Sequence, residues 1–139
     1  YRRQRQMCIR DSLNSIKGIG TINAMNTIIH TNNFQAFETA RQYACYLGIA
    51  PFEHSSGTSI KGKTRVYPTG AKLLKADLSQ AANSAIVWDK EMKEYYERKR
   101  KEGKAYGVVL NAVKFKLVGR MFAVVKRGTP FVELMTYKK

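Results

Sequence analysis

The stretch KAYGVVLNAVKFKLVGRMFAVVKRG, residues 104–128, decides the fold. Placed at 100° per residue, its apolar side chains form one helical face. The members of that face are Leu110, Val113, Leu117, Met121 and Val124, and it is widened by Val118, Phe122 and Val125. So broad an apolar surface predicts a helix central to the core, ended by Gly128 and Pro130.

Three basic residues of the same helix, Lys116, Arg120 and Arg127, fall on a stripe away from the apolar face. Such a stripe is either the solvated side of a buried helix or a track for phosphate groups. The residues alone leave both interpretations open.

The segment LNSIKGIGTINAMNTIIHT, residues 13–31, also has a helical pattern. After a Gly-x-Gly break, Ile22, Met25, Ile28 and Ile29 follow at helical spacing. This pattern predicts a helix, a tight hairpin and a second helix.

Three more helices are predicted between these two regions. One runs from about Glu38 to Leu47 with Gly48 as its stop, and one covers AKLLKADLSQAANSAIVW. The third covers DKEMKEYYERKRKEG, with Asp89 as its N-cap. Residues 52–69 are rich in Gly, Ser, Thr and Lys, which predicts an irregular basic loop or a minimal hairpin. The expected fold is therefore all-α: a helix-hairpin-helix followed by a small helical bundle.

We expect one helical domain over residues 13–128, with the helix-hairpin-helix at 13–31, and a C-terminal tail over 129–139. Residues 1–12, YRRQRQMCIRDS, match no helix, strand or turn pattern. They do match the translation of a sequencing-library adapter that ends in a transposon mosaic end. We therefore expect these residues not to be native, and the native N-terminal part of the protein to be missing.

The composition favours a polyanionic partner, because the 139 residues carry a formal charge of +15. The basic character persists when residues 1–12 are left out. Cys8 and Cys45 form neither a disulfide framework nor a metal-ligand cluster. No apolar run approaches the ~18 residues of a membrane helix, so no membrane association is expected.

The first motif is Gly18-Ile19-Gly20, followed by Thr21 and a helix. Glycines permit a tight turn and leave backbone N–H groups bare at the start of the second helix, where they can hold a phosphate oxygen. Ile19 is expected to fill the core between the two helices. Contacts of this kind recognise the DNA backbone and not the bases. A Gly-x-Gly turn can also be only a turn, and the basic charge of the chain favours DNA contact.

The second motif is the serine pair Ser55-Ser56 before Gly57. A serine is a poor nucleophile unless a neighbour takes its proton or stabilises the developing charge. His54 stands beside the pair, and the cations Lys61, Lys63 and Arg65 follow it. These cations could hold a scissile phosphate. The residues alone favour the other interpretation, a Ser/Gly turn with no chemistry.

A linked set of motifs resembles one protein family. In chain order they are GIGTINA (18–24), ARQYACYLGIAPFEHSSG (40–57), GKTR (62–65), AKLLKADLSQAA (71–82), YYERKRKEGK (95–104) and NAVKFKLVGRMFAVVKRGTP (111–130). Together they resemble the C-terminal domain of insertion-sequence transposases with an N-terminal RuvC-like DEDD domain and a C-terminal serine domain. These proteins are the bridge-RNA-guided recombinases. The resemblance covers roughly residues 13–133.

The resemblance implies a mechanism in which the serine before the glycine attacks DNA and becomes covalently joined to a strand end. That serine is Ser56, with Ser55 as the neighbouring candidate. Gly18, Ile19, Gly20 and Thr21 fall in the family's hairpin, and Lys61, Lys63 and Arg65 in its basic loop. The missing RuvC-like domain would supply carboxylates that bind a divalent metal, expected to be Mg²⁺, and no cofactor is expected in this chain. Parts from different protomers would form one site, so the family implies a homo-oligomer. It also implies a guide RNA and a location at the bacterial nucleoid in the cytoplasm.

The sequence departs from the family at two places. Tyr67-Pro68 stands where a Ser-Lys or Ser-His pair is common, and Lys75 stands where Arg is common. The chain also offers no two or three convergent acids for a metal pair. Glu91, Glu94, Glu97 and Glu102 alternate with Lys and Arg, which indicates helix-surface pairing, and Asp77 and Asp89 are expected to be surface or cap residues. We therefore expect the whole transposase, but not this chain alone, to cut DNA. The alternative function is a non-catalytic helix-hairpin-helix DNA-binding module, in which Ser56 is a turn residue; a basic RNA-binding structural protein has only composition in its favour.

Overall fold

Six helices occupy most of what the computed structural model describes, namely residues 2–52, 55–56, 60–61, 65–66 and 72–132, with side chains for 8–50 and 72–132. The helices are α1 (Arg2–Asn14), α2 (Thr21–His30), α3 (Ala40–Leu47), α4 (Lys72–Trp88), α5 (Lys90–Lys101) and α6 (Tyr106–Arg127). Between α3 and α4 lie four two-residue strands, β1 (Pro51–Phe52), β2 (Ser55–Ser56), β3 (Ile60–Lys61) and β4 (Arg65–Val66). The predicted all-α fold is confirmed, and the strands form the minimal hairpin that the sequence allowed.

Helix α6 lies at the centre of the core and packs against α1, α3, α4 and α5. The five residues predicted to form its apolar face are all buried, and so is Val118. Phe122 and Val125 lie partly buried at the edge of the core. The helix ends at Gly128, whose φ of 70° is the left-handed conformation that favours glycine. Although α6 is long and apolar, no helix in the described part of the chain could cross a membrane.

Caps fix the ends of α3 and α5, and two of them, Gly48 and Asp89, were predicted from the sequence. The hydroxyl of Thr39 accepts a hydrogen bond from the Gln42 amide at the start of α3, and Gly48 closes that helix with a φ of 74°. The Asp89 carboxylate accepts from the Met92 amide at 3.2 Å and begins α5. Because Asp89 is the single residue between the end of α4 and the start of α5, this cap also defines the corner between them.

The buried face of α2 includes only one of the four apolar residues whose spacing predicted the helix, Ile28. Ala24, Thr27 and Ile28 face the core, whereas Ile22 and Ile29 are 71% and 66% exposed. Helical spacing alone cannot choose between two adjacent apolar stripes on a short helix. Helix α2 contacts α1 and α4, and Thr27 on its buried face contacts Met121 of α6, so tertiary packing makes the choice here.

Helix α1 corrects the expectation that residues 1–12 match no helical pattern. The helix spans Arg2–Asn14 and continues without a break across the predicted boundary at residue 13. Ile9 packs partly buried against the core, and Leu13 is fully buried one turn later. The i, i+4 spacing of these two residues is the helical signal that the basic residues around them obscured. The adapter origin of residues 1–12 stays a prediction.

Candidate nucleic-acid interface

Three buried apolar side chains build the turn between α1 and α2. Leu13, Ile16 and Ile19 are 0%, 1% and 4% exposed. The amides of Ile16 and Ile19 donate to the carbonyls of Leu13 and Ile16, each at 3.1 Å. The prediction that Ile19 fills the core is confirmed, so only its backbone can face a ligand.

Gly18 is required by packing. Its φ is +95°, and a Cβ atom there would lie 2.6 Å from the carbonyl oxygen of Ala81 and 3.0 Å from the Cβ of Ala85, both on α4. The turn therefore rests directly on the backbone of α4. This close approach gives Gly18 a structural role that does not depend on any ligand.

Gly20 is different, because it is the exposed N-cap of α2. Its backbone is extended, with φ −89° and ψ 177°, and a Cβ built there meets nothing within 4 Å. A glycine N-cap has no side chain to accept hydrogen bonds from the first-turn amides, which have no partner inside the helix. The neighbouring Thr21 is exposed as well. The start of α2 thus presents bare amides and the positive end of the helix dipole.

The serine pair lies in β2, within two nested antiparallel ladders. In the inner ladder Ser55 is opposite Lys61 and Ser56 is opposite Ile60. In the outer ladder Pro51 is opposite Val66 and Phe52 is opposite Arg65. The backbone therefore brings the positions of both candidate serines and of two of the three candidate cations into one hairpin. Lys63 and His54 lie outside the described residues.

The hairpin leaves the core from the end of α3. Gly48 ends that helix, and the two residues after it, Ile49 and Ala50, are 1% and 0% exposed. Lys75, in the first turns of α4, donates from Nζ to the Gly48 carbonyl at 3.1 Å. The start of the hairpin is thus fixed to the helical core by two buried residues and by one hydrogen bond from α4.

The acidic residues have structural partners. Arg120 pairs with Asp89 at 2.6 Å and with Glu91 at 2.7 Å. Arg120 is therefore neither a solvated residue nor part of a phosphate track, the two possibilities that its position on α6 suggested. Asp77 accepts a hydrogen bond from Asn26 at 2.9 Å, which ties α4 to α2 and makes it neither a cap nor a free surface residue. Within the described residues, no group of three or more His, Cys, Asp or Glu could hold a metal ion.

One basic residue escaped the sequence analysis. Lys114 of α6 is only 4% exposed. Its neighbours at i−4, i+3 and i+4 on the helix are Leu110, Leu117 and Val118, so it interrupts the apolar face. That position on a helical wheel was the signal that could have identified it.

Comparison with known proteins gives a match over most of the chain. The model of a family described as "Transposase IS116/IS110/IS902 family" matches residues 10–97. The matched region includes the turn at the start of α2, the hairpin with the two serines, and α4.

Individual relatives point to the same kind of protein. The chain is 31% identical over 117 residues to the "Insertion element IS110 uncharacterized 43.6 kDa protein" of Streptomyces coelicolor, a match that covers 84% of this chain and 29% of that protein. It is 26% identical over 121 residues to the "Pilin gene-inverting protein" of Moraxella bovis, covering 86% of this chain and 37% of that protein. The protein of the same name from Moraxella lacunata matches to the same extent. The chain thus spans about a third of the length of these relatives.

Proposed function

The chain belongs to the IS116/IS110/IS902 transposase family, and from this membership we propose that it is the C-terminal, DNA-binding and nucleophile-bearing part of a transposase. The proposed activity of the whole protein is cleavage and exchange of DNA strands during insertion-sequence transposition. The names of the relatives, an insertion-element protein and a gene-inverting protein, support DNA rearrangement as the activity.

The pairing register of the hairpin is the single observation that carries the proposal. It holds Ser55 directly opposite Lys61 and Ser56 directly opposite Ile60, so both candidate serines lie within one residue of a cation position, with Arg65 in the outer ladder. Serine and lysine positions on neighbouring strands of one hairpin suit attack on a phosphodiester, because a nearby cation stabilises the charge that develops on the phosphate oxygens.

The proposed step is a transesterification. The Oγ atom of Ser56 attacks the phosphorus, and a serine–phosphate bond forms as the bond from phosphorus to one sugar oxygen breaks. The serine proton passes to water as the new bond forms, and the departing sugar oxygen takes a proton from water to become a free hydroxyl. Religation reverses the step with a different strand end, so no oxidant or nucleotide cofactor is needed.

The rest of the proposed site lies outside this chain. A divalent metal, expected to be Mg²⁺, would be bound by carboxylates of a RuvC-like domain in the whole protein. The described residues of this chain do not provide such a set of ligands, so the chain on its own is expected to be inactive. Assembly of two protomers around one site, a guide RNA and a location with the bacterial chromosome are further parts of this proposal.

The test uses three forms of the full-length protein: wild type, Ser56→Ala and Ser55→Ala. Each is incubated with end-labelled DNA, and the covalent protein–DNA adduct is measured on a denaturing gel. We expect Ser56→Ala to abolish the adduct and strand exchange, while Ser55→Ala, its matched neighbour, retains both. If both variants keep strand exchange, the serine mechanism is wrong.

The second candidate function is a non-catalytic DNA-binding module. The open N-cap at Gly20 favours it, because bare first-turn amides bind phosphate without any nucleophile. This function alone would remain if both serine variants were fully active and the chain still bound duplex DNA.

A further inference from the structure

A groove of about 500 Å³ opens between the last turns of α6 and the segment that leads into α3. Its volume lies within the range of small-ligand sites in proteins. Three aromatic side chains line it, Phe34, Phe37 and Phe122, and so do two charged ones, Glu38 and Lys126. An aromatic wall is thus combined with one acidic and one basic residue in a single cavity.

The three phenylalanines of the groove belong to one cluster of rings. The centroids of Phe34 and Phe122 are 4.9 Å apart in an edge-to-face arrangement. The ring of Tyr43 lies 5.2 Å from Phe37 and 5.8 Å from Phe122. Tyr43 is buried, whereas the three phenylalanines are only partly buried. The core therefore supports these rings from behind and leaves part of each open to the groove.

The backbone that carries Phe34 has an unusual conformation. Asn32, Asn33 and Phe34 are three consecutive residues with positive φ, at 48°, 58° and 64°. Asparagine tolerates the left-handed region, but a bulky aromatic residue adopts it rarely. The amide of Phe34 donates to the buried hydroxyl of Thr31 at 3.0 Å, which holds this turn in place. Strain of this kind is often found beside ligand sites, and here it occurs at a residue that lines the groove.

The charged residues of the groove are suited to two parts of a nucleotide. Glu38 is fixed at the start of α3, because its amide donates to Gln42 Oε1 at 2.8 Å. A carboxylate accepts hydrogen bonds from the exocyclic amino group of a base. Lys126 is exposed in the last turn of α6 and can pair with a phosphate. Arg127 and Arg41 are exposed next to the lining residues in the chain, so the rim has a net positive charge.

We propose that this groove binds one unpaired base of a single-stranded nucleic acid. The base stacks on the phenylalanine rings and donates from its amino group to Glu38, while Lys126 contacts the phosphate of the strand. A peptide would also suit an apolar groove, but the positive rim and the charge of +15 favour a polyanion. The inference rests on the proposed function in one respect, that the partner of this chain is nucleic acid.

Helix α3 connects the groove to the hairpin that carries the serines. It begins beside the groove and ends at Gly48, and its eight residues span about 12 Å. A strand that contacts the hairpin would therefore need only a short unpaired stretch to place a base in the groove.

The first experiment measures binding of the 139-residue chain to short labelled strands by fluorescence anisotropy. The strands are oligothymidylates in which one central position carries adenine, cytosine, thymine or no base. We expect the adenine and cytosine strands to bind about tenfold more tightly than the abasic strand, because stacking and one hydrogen bond are gained. Thymine has no amino group and should bind with an intermediate affinity. Equal affinities for all four strands would overturn the site and leave the groove to a peptide.

Glu38→Ala tests the hydrogen bond to the base. Removal of a negative charge should tighten binding of every strand slightly, whereas the preference for adenine and cytosine over thymine should disappear. Glu97→Ala is the matched control, because Glu97 is an exposed acidic residue on α5, outside the groove. It should keep the preference. A base preference in Glu38→Ala equal to that in Glu97→Ala would overturn the role of the carboxylate.

Phe37→Leu tests stacking, and Phe37→Tyr is its control because it keeps an aromatic ring. Phe37→Leu should weaken binding of the adenine strand by about tenfold and change binding of the abasic strand by less than about twofold. The abasic strand thus reports on the fold in the same assay. Phe37→Tyr should bind both strands like wild type. An unchanged preference for the adenine strand in Phe37→Leu would overturn stacking in the groove.

The outcomes separate this inference from the proposed function. If both serine variants remain active but the base preference is present and is lost in Glu38→Ala, the base site stands and the serine mechanism fails. If Ser56→Ala abolishes the adduct while all four strands bind equally, the serine mechanism stands and the base site is wrong.

Discussion

Arg120 and Asp89 form an ion pair of 2.6 Å between the middle of α6 and the first residue of the α4–α5 corner. Both side chains are largely buried, 12% and 5% exposed, and the same carboxylate caps α5. One acidic residue thus orients a helix start and fixes that start to the central helix.

Removal of the Asp89 charge is expected to destabilise the protein strongly. Asp89→Asn keeps a side chain that can cap α5 but leaves Arg120 largely buried without its main partner, which should cost about 3 kcal/mol of unfolding free energy. Asp89→Ala should cost more, because it also removes the cap. Glu91→Gln is the control: its side chain is 70% exposed, and its loss should cost under about 1 kcal/mol. Urea unfolding measures all three, and equal costs for Asp89→Asn and Glu91→Gln would contradict this account.

The two glycines of the hairpin should respond in opposite ways to alanine. Gly18→Ala places a Cβ 2.6 Å from the Ala81 carbonyl oxygen at a positive φ, so we expect a loss of about 2 kcal/mol or more. Gly20→Ala enters open space with an extended backbone and should cost less than about 1 kcal/mol. Thermal unfolding of the two variants checks this, and the expectation fails if Gly20→Ala is the more damaging.

Gly20→Val should separate DNA binding from folding. The extended backbone at Gly20 accepts a β-branched residue, but the isopropyl group would crowd the bare amides at the start of α2. We expect a near-normal circular dichroism spectrum and about tenfold weaker binding to duplex DNA. DNA affinity equal to that of wild type would show that these amides do not contact phosphate.

The stability of the protein in alkali should depend on Tyr43. Burial raises the pKa of Tyr43 to about 12, from 10.0, and Thr27 opposes that rise only in part. The unfolded chain therefore loses this proton first, so the stability that Tyr43 contributes is full below pH 10 and is lost as pH rises toward 12. Relative to Tyr43→Phe, wild type should lose up to about 3 kcal/mol across that window. Urea unfolding of both proteins at pH 9 and above tests this, and parallel pH profiles would contradict it.

Neighbouring isoleucines of α2 should differ sharply in their contribution to stability. Ile28 is 4% exposed and lies in the core, so Ile28→Ala should cost about 3 kcal/mol. Ile29 and Ile22 are mostly exposed, and their replacement by alanine should change stability by less than about 0.5 kcal/mol. A large cost at Ile29 would mean that the exposed stripe of α2 is not exposed in solution.

The contrast between α6 and α2 shows where sequence patterns succeed. The face of α6 could be predicted because four other helices surround it, so most of its apolar residues had to be buried. Helix α2 has only ten residues, and its packing leaves Ile22, Met25 and Ile29 exposed, so more apolar residues stand on it than its neighbours cover. The helix ends at Gly48 and Asp89 depend on local chemistry, which is why they could be predicted, whereas the Thr39 cap of α3 was missed.

The candidate site was predictable in its parts but not in its arrangement. The Gly-x-Gly turn was recognisable, yet the distinct roles of Gly18 and Gly20 depend on how close α4 comes. The pairing of Ser55 with Lys61 depends on a ladder register that residue types do not specify. The ion pair of Arg120 links residues 31 positions apart in the sequence, a separation at which no local pattern applies.

The hydrogen bond from Lys75 to the Gly48 carbonyl joins the two ends of the segment that carries the serines. Because the two ends of this segment are held together at α3 and α4, its length and sequence can vary without changing the distance between those two helices. The segment between Gly48 and Lys75 is therefore where we expect this chain to accept insertions and deletions with the least disturbance of its helices.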